Sequence, residues 1–526
     1  MTEERKVTRA AGIIGLATLV SRITGFVRDI VVAGVFGAGL AADSFYVAYR
    51  IPNMLRELFA EGSMSAGFIP VFTEYLAKRS RDEARALASA TFTALLLILT
   101  GICMIGIYFA PGVVRIIAPG FSNTADKIDL TVRLTRIMFP YLLFIGLAAI
   151  AMGILNVLHA FGVPALSPVM LNVSMVSSVF FLCPLLDEPV VGLAVGALVG
   201  GALQWLVQLP QLHRKGFLMQ WRLRLSDPGV RRIGWLILPA MLGQSVAQIN
   251  ILVNNRFASF LPQGSVTYLF YGMRLIYFPL GIFGVALATA IMPTLSAQAV
   301  EGRVGRMRET FSFGLRLVFF IVFPAMIGLI LLRVPIVEIL YQHGRFTSAD
   351  TQGTATAVLF YALGLIGFAS VRIVVPFFYA LQDTRTPVKA AVFALILNIA
   401  LSLALMDPLK HGGLALATSL ASTANFLILA WILRRRIGRI DGRRIARSYL
   451  RVLAASIGMV PICAPIGELA LWGTSGRLLE KIAWLAVAIL GSGFLYIGAH
   501  KVLGSEEWVF LKNMGKERIG RRVSGR

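Results

Sequence analysis

Between Ser21 and Pro70 the chain is mostly apolar, yet it carries Arg22, Arg28, Asp29, Asp43, Arg50, Arg56, Glu57 and Glu61. An ionisable side chain at membrane depth costs at least about 2.5 kcal/mol on insertion scales, so eight in two neighbouring segments need partners or a wet interior. Arginine stays charged when buried and presents a planar fork that matches phosphate or carboxylate. Carboxylates beside such a fork orient it or are displaced from it. The chemistry this set supports is reversible binding of an anionic, amphipathic cargo.

Helical spacing sharpens that reading. On a straight helix Asp43, Arg50, Glu57 and Glu61 fall within about 40° of one another, in a stripe about 27 Å long. That is nearly the hydrocarbon thickness, as the wall of a wet path requires. Arg56 lies off the stripe, and Pro52 is expected to kink the helix beside it. In the preceding segment Arg22 and Asp29 share a face, with Arg28 about 120° away. Further along, Gln244, Gln248 and Asn255 share one face and are expected to line the cavity from another lobe.

Other chemistries lack their residues. The sequence has no GxxxxGK[ST] loop and no nucleophile–histidine pair. Cys103, Cys183 and Cys463 sit in apolar surroundings and read as packing residues. The five histidines are scattered without zinc-ligand spacing. A transporter with no cofactor and no metal is expected, rather than an enzyme.

The elements that must hold these residues are membrane helices. Of 526 residues 57% are hydrophobic and only 14% charged, where soluble chains carry about 25% charged. Apolar runs, each long enough to cross a bilayer, number about fourteen. The first, at 10–36, lacks a small-residue cleavage site and reads as a mature span. The second covers 41–76 and the eighth 265–299.

The net charge of +24 would suggest nucleic acid in a soluble chain, but its distribution argues otherwise. Alternate loops, counted from the N-terminus, hold 33 Lys and Arg against 6 on the opposite side. This asymmetry places both termini in the cytoplasm. The basic run 434–444 and the tail therefore read first as topology signals, with anionic headgroup binding a secondary role. The 11 basic residues left inside spans are all arginine. Arg133, Arg316 and Arg333 are placed to snorkel to the interface, whereas Arg274 and those of the first two spans are deep.

The chain also echoes itself at an offset of 221–225. AYRIPNMLRELFAEGSMSAGFIP aligns with GMRLIYFPLGIFGVALATAIMP, matching Arg50 to Arg274 and Pro70 to Pro293. The expected fold is an all-α integral membrane protein with two six-helix lobes, at 1–217 and 218–440. The lobes would be related by a pseudo-twofold axis along the membrane normal. Two further helices and a tail occupy 441–526.

The motifs SRITGFVRD (21–29), FGAG (36–39), Asp43, Pro52–Asn53, Arg56, Glu61–Gly62 and Phe68–x–Pro70 resemble the N-terminal signature of the MurJ/MviN family. APGF (118–121) and DTRTPVK (383–389) are similar to further segments of these lipid II flippases of the MOP exporter superfamily. The resemblance covers essentially the whole chain. It implies movement of undecaprenyl-diphosphate-linked peptidoglycan precursor across the bacterial cytoplasmic membrane by alternating access. It also implies that Arg22, Arg28, Arg56 and Arg274 engage the diphosphate and sugar region, with Asp43 and Glu61 in support. Asp29, Arg50, Glu57, Gln248 and Asn255 are further candidate lining residues. Met273 stands where many relatives are expected to carry an acid, so Arg274 is read without a neighbouring carboxylate. The implied partners are lipid II, the membrane and other cell-wall synthesis proteins, with no nucleic acid.

Three alternatives compete. A flippase for another polyprenyl-linked glycan shares the physics. A drug or cation antiporter fits poorly with the arginine excess. A polymerase or transferase would need a placed catalytic carboxylate, and Glu338 is the one acid inside a span of the C-terminal half.

Overall fold

The computed structural model describes residues 3–58, 63–224, 226–281, 285–474, 476–510 and 512–513, and at some helical positions, including 3–11, the backbone alone. Among the described residues there is helix and no strand. In chain order the helices are α1 (Glu3–Phe36), α2 (Leu40–Arg56), α3 (Ser63–Lys78), α4 (Arg81–Tyr108), α5 (Ala110–Ile117) and α6 (Ala125–Met138). Next come α7 (Tyr141–Val157), α8 (Gly162–Phe181), α9 (Pro189–Leu206), α10 (Leu209–Arg214) and α11 (Pro228–Ser259). The second half continues with α12 (Ser265–Pro279), α13 (Val285–Val300), α14 (Val304–Leu331), α15 (Arg333–Tyr341), α16 (Ser348–Leu363) and α17 (Leu365–Ala380). It closes with α18 (Arg385–Leu409), α19 (His411–Ile437), α20 (Gly442–Ile457), α21 (Val460–Gly467) and α22 (Leu478–Val502).

Local signals set several boundaries. Ser80 caps α4 by accepting the Glu83 N–H at 3.1 Å, and Thr347 and Asp350 form a reciprocal capping box on α16. Between α1 and α2 the chain turns at Gly37, with φ +61°. A Cβ there would lie 2.6 Å from the Arg345 carbonyl, so glycine is required on two counts.

The repeat is written in these boundaries. Helices α4 and α14 are both 28 residues long and start 223 positions apart. Helices α3 and α13 have 16 residues each at an offset of 222, and both contain the matched proline, Pro70 or Pro293. The broken pair α6–α7 recurs as α16–α17 at offsets of 223 and 224, where the second pair bends by 44°.

Eight described helices are long and apolar enough to cross a membrane, or eleven if each of three bent pairs is one span. These eleven fall on eleven of the fourteen runs expected from the sequence. The remaining runs, 10–36, 41–76 and 265–299, each pass through positions outside those fully described. The chain is thus a multi-pass membrane protein with an all-helical fold.

Contacts divide the chain into two compact units. The first comprises Met1–Val266 with His343–Phe346, and the second Thr267–Gln342 with Thr347–Arg526. The expected lobe boundary at 217/218 precedes α11, whereas the contact boundary follows it. Packing explains the difference. Gly67 of α3 lies so close to α11 that a Cβ would come within 2.6 Å of the Ile237 side chain. Arg232 of α11 also pairs with Glu74 of α3 at 2.8 Å. The face of Gln244, Gln248 and Asn255 thus lies within the first contact unit.

In the first unit α1 packs along α8, and α8 along α9, where small residues let backbones approach. Gly200 of α9 is so near α8 that a Cβ would sit 2.8 Å from the Leu171 Cα. In the second unit α14 is central, packed by α13, α16, α17 and α20.

Candidate cargo-binding site

In the first unit the charged residues are held in three polar groups. The first joins α1 to α8. The Arg28 guanidinium turns back on its neighbour, donating from Nε at 3.0 Å and Nη2 at 2.7 Å to Asp29 Oδ1. Its Nη1 donates to Asn172 Oδ1 at 3.1 Å. Asn172 in turn donates to the Ser21 carbonyl at 3.3 Å and to Thr24 Oγ1 at 3.1 Å. Three of the five guanidinium N–H groups are thus engaged, which fixes the plane of the fork. Arg28 is 9% exposed and Asp29 1%. Adjacent residues stand about 100° apart on a helix, and the length of the arginine side chain bridges that angle. Arg22, one and a half turns earlier, is exposed.

The second group closes the start of α2. Lys127 of α6 donates to Asp43 Oδ2 at 2.8 Å, and the Gly264 N–H donates to the same oxygen at 2.8 Å. The ammonium also lies 4.0 Å from the centroid of the Phe121 ring. Both charges are buried. The burial of Lys127 has no signal in the sequence, because its partner lies 84 positions away.

The third group sits at the end of α2. Arg56 Nε donates to Asn53 Oδ1 at 3.0 Å, and Arg56 lies 3.8 Å from Glu57. Asn53 Nδ2 donates to Glu57 Oε1 at 3.0 Å. From α11, Gln248 Nε2 donates to Glu57 Oε2 at 2.5 Å. Arg56 and Glu57 are therefore members of one cluster despite their different faces on an ideal helix. Between the second and third groups an aromatic ladder lines α2. Phe45 stacks on Tyr49 with centroids 5.7 Å apart, and Tyr49 meets Tyr141 of α7 at 6.0 Å. Arg50 and Asn255 are partly buried. Glu61 lies outside the described residues.

In the second unit Arg274 is partly buried on α12. One turn earlier Tyr271 packs on Tyr341 of α15 at 4.6 Å between centroids. Tyr268 donates to Asp350 Oδ1 of α16 at 2.9 Å. The other buried charges of this unit lie toward the C-terminal helices. Arg316 of α14 donates to Glu507 and Glu506, each at 2.8 Å, and Ser448 of α20 donates to Glu507 at 3.0 Å. Arg316 does not snorkel to the interface as expected: it is 5% exposed, because the segment after α22 folds back and supplies two carboxylates. Glu338 of α15 accepts from Lys481 of α22 at 2.6 Å and from the Gly473 N–H. That pairing gives the one acid inside a span of this half a packing role.

Outside the membrane segments, Asp383 precedes α18. The Thr386 hydroxyl, donating at 2.6 Å, holds its carboxyl below the usual carboxylate range, helped by the Thr386 N–H and by Arg436.

Comparisons with known proteins agree on one family. The family model described as "Lipid II flippase MurJ" matches residues 32–480. A "Probable lipid II flippase MurJ" of Vibrio cholerae is 39% identical over 82% of this chain and 83% of its own length. The "Lipid II flippase MurJ" of Burkholderia cenocepacia is 35% identical over 93% of this chain and 95% of its own. A solved "Lipid II flippase MurJ, inward closed conformation" superposes with a TM-score of 0.77 and 25% identity, covering 94% of this chain and 99% of that one. A multidrug MATE transporter of the MOP superfamily, in an inward-facing conformation, shares the fold at a TM-score of 0.69 and 14% identity. A helical membrane chain with arginine-centred polar groups, matched by this family over nearly its whole length, belongs to the lipid II flippase MurJ family.

Proposed function

We propose that this protein is a lipid II flippase, moving undecaprenyl-diphosphate-linked disaccharide-pentapeptide from the inner to the outer leaflet for cell-wall synthesis. The observation that carries this reading is the family match across residues 32–480, joined by relatives aligned over more than nine-tenths of their length. The site residues fit that cargo. A diphosphate is recognised best by several planar, permanently charged forks. Arg28 and Arg56 are held by Asn and carboxylate neighbours, an arrangement that keeps a guanidinium oriented before cargo arrives. Arg22 and Arg274 supply further cationic contacts in this proposal, with Asp43 and Glu61 as supporting acids. Asp43 acts through Lys127, by fixing α2 against α6. Asp29, Arg50, Glu57, Gln248 and Asn255 complete the polar lining. The protein lies in the bacterial cytoplasmic membrane with both termini inside, as the 33-to-6 bias of basic residues supports. The cycle is alternating access.

Depletion in living cells tests the cargo. Lipid II accumulating on the inner leaflet is the expected result. Accumulation of a different polyprenyl-linked glycan, with lipid II crossing normally, would overturn it.

A further inference from the structure

At the end of α19 the arginines differ sharply in what they touch. Arg436 pairs with Asp383 at 2.6 Å, and Arg444 pairs with Glu506. Arg434, Arg435 and Arg439 are exposed and have no acidic partner among the described residues. With Trp431 and Gly438 they line a groove of about 330 Å³. The Arg435 guanidinium lies 3.8 Å from the centroid of the Trp431 ring, which holds it flat over the indole. Arg308 of α14 donates to the Ile437 carbonyl and fixes the turn at Gly438, whose φ of +83° only glycine adopts readily. Asp441, the one acid in 434–444, is not among the groove residues.

The groove continues into an apolar lane. Leu420, Leu427 and Trp431 are 45%, 59% and 53% exposed, and their spacing of seven and four places them on one face of α19. In a membrane-spanning helix an exposed apolar face meets acyl chains. An exposed tryptophan at its end marks the headgroup level. An amphiphile with a phosphate head and acyl tail fits both parts at once, whereas a free phosphate would use the arginines alone.

We infer that Trp431, Arg434, Arg435 and Arg439 form a headgroup site for an anionic phospholipid, on the side of the membrane that carries the basic loops. The lipid's phosphodiester rests among the three guanidinium groups and one acyl chain lies along Leu427 and Leu420. This site is separate from the arginines of α1 and α2 assigned to cargo, and it does not depend on which lipid-linked glycan is transported.

The test uses the full chain in vesicles containing either brominated phosphatidylglycerol or brominated phosphatidylcholine at equal mole fraction. Subtracting the signal of Trp431→Phe isolates quenching of Trp431. Phosphatidylglycerol should quench that component several-fold more than phosphatidylcholine, and the preference should shrink toward equality as the arginines at 434, 435 and 439 are replaced by alanine. Equal quenching by both lipids in the unaltered chain would overturn the proposal, whatever the variants do. Millimolar inorganic phosphate should leave the preference in place. Its loss on adding phosphate would assign the groove to a free anion and contradict the lipid site.

Discussion

The two units share a scaffold but spend their buried charges differently. Helix lengths repeat, with α4 and α14 of 28 residues each at an offset of 223. The ion pairs do not repeat. Lys127, which closes on Asp43 in the first unit, corresponds by the same offset to Asp350 in the second, and Asp350 accepts from Tyr268 instead. Each unit thus ties one helix, α2 or α12, to the helix that follows the short α5 or α15, with a charge pair in one and a neutral donor in the other. The remaining buried charges follow the same division. In the first unit they gather on α1 and α2. In the second, Arg316–Glu507 and Glu338–Lys481 fasten α14 and α15 to the C-terminal segment and α22. The helix boundaries thus repeat between the halves, while the buried charge pairs do not.

That contrast can be broken. The largest stability effect is expected where one half of a fully buried pair is removed. Arg316→Ala leaves Glu507 buried without its cation and should cost about 3–5 kcal/mol. Thermal unfolding in detergent should show it, with lipid II transport per folded molecule unchanged. Loss of transport at full stability would place Arg316 with the cargo residues instead. In the first unit Asp43→Asn should cost a similar amount by stranding Lys127, and Asp43→Asn with Lys127→Met should recover most of it. Failure of the double variant to recover would show that the Gly264 N–H contact, and not the ion pair, carries Asp43.

Smaller effects sharpen the comparison. Gln248→Leu removes a hydrogen bond to a charged group and should cost about 1.5–3 kcal/mol, read by the same unfolding. An unchanged midpoint would remove α11 from the Glu57 cluster. The smallest effect concerns Asp383. Its folded-state pKa lies below the unfolded value, so its contribution is present above the unfolded value and is lost as pH falls through the folded one. Asp383→Asn should therefore flatten the acid limb of a stability–pH curve by less than about 1 kcal/mol.

Much of this was legible in the sequence. Composition and apolar runs disclosed a helical membrane chain, and the offset of 221–225 disclosed the duplication that the helix boundaries repeat. The concentration of charge on α1 and α2 was visible as well. Partners were not. Lys127 and Arg316 are buried because acids 84 and 191 positions away reach them, and no local pattern encodes a contact of that range. The packing of α11 escaped for a related reason: the repeat groups it with the second half, while Gly67 and Glu74 of α3 also give it a packing face in the first. The pairing of Arg28 with Asp29 escaped because ideal helical angles treat side chains as spokes, whereas an arginine is long enough to fold back on the next residue.

The central claim is that Arg28 on α1 and Arg274 on α12 engage the diphosphate of lipid II. Its most direct test is lipid II translocation by Arg28→Ala combined with Asp29→Asn, which leaves no stranded carboxylate, and separately by Arg274→Ala. Translocation should be abolished in both while membrane insertion and folded yield match the unaltered chain. Full retention of flipping by both variants would contradict the assignment.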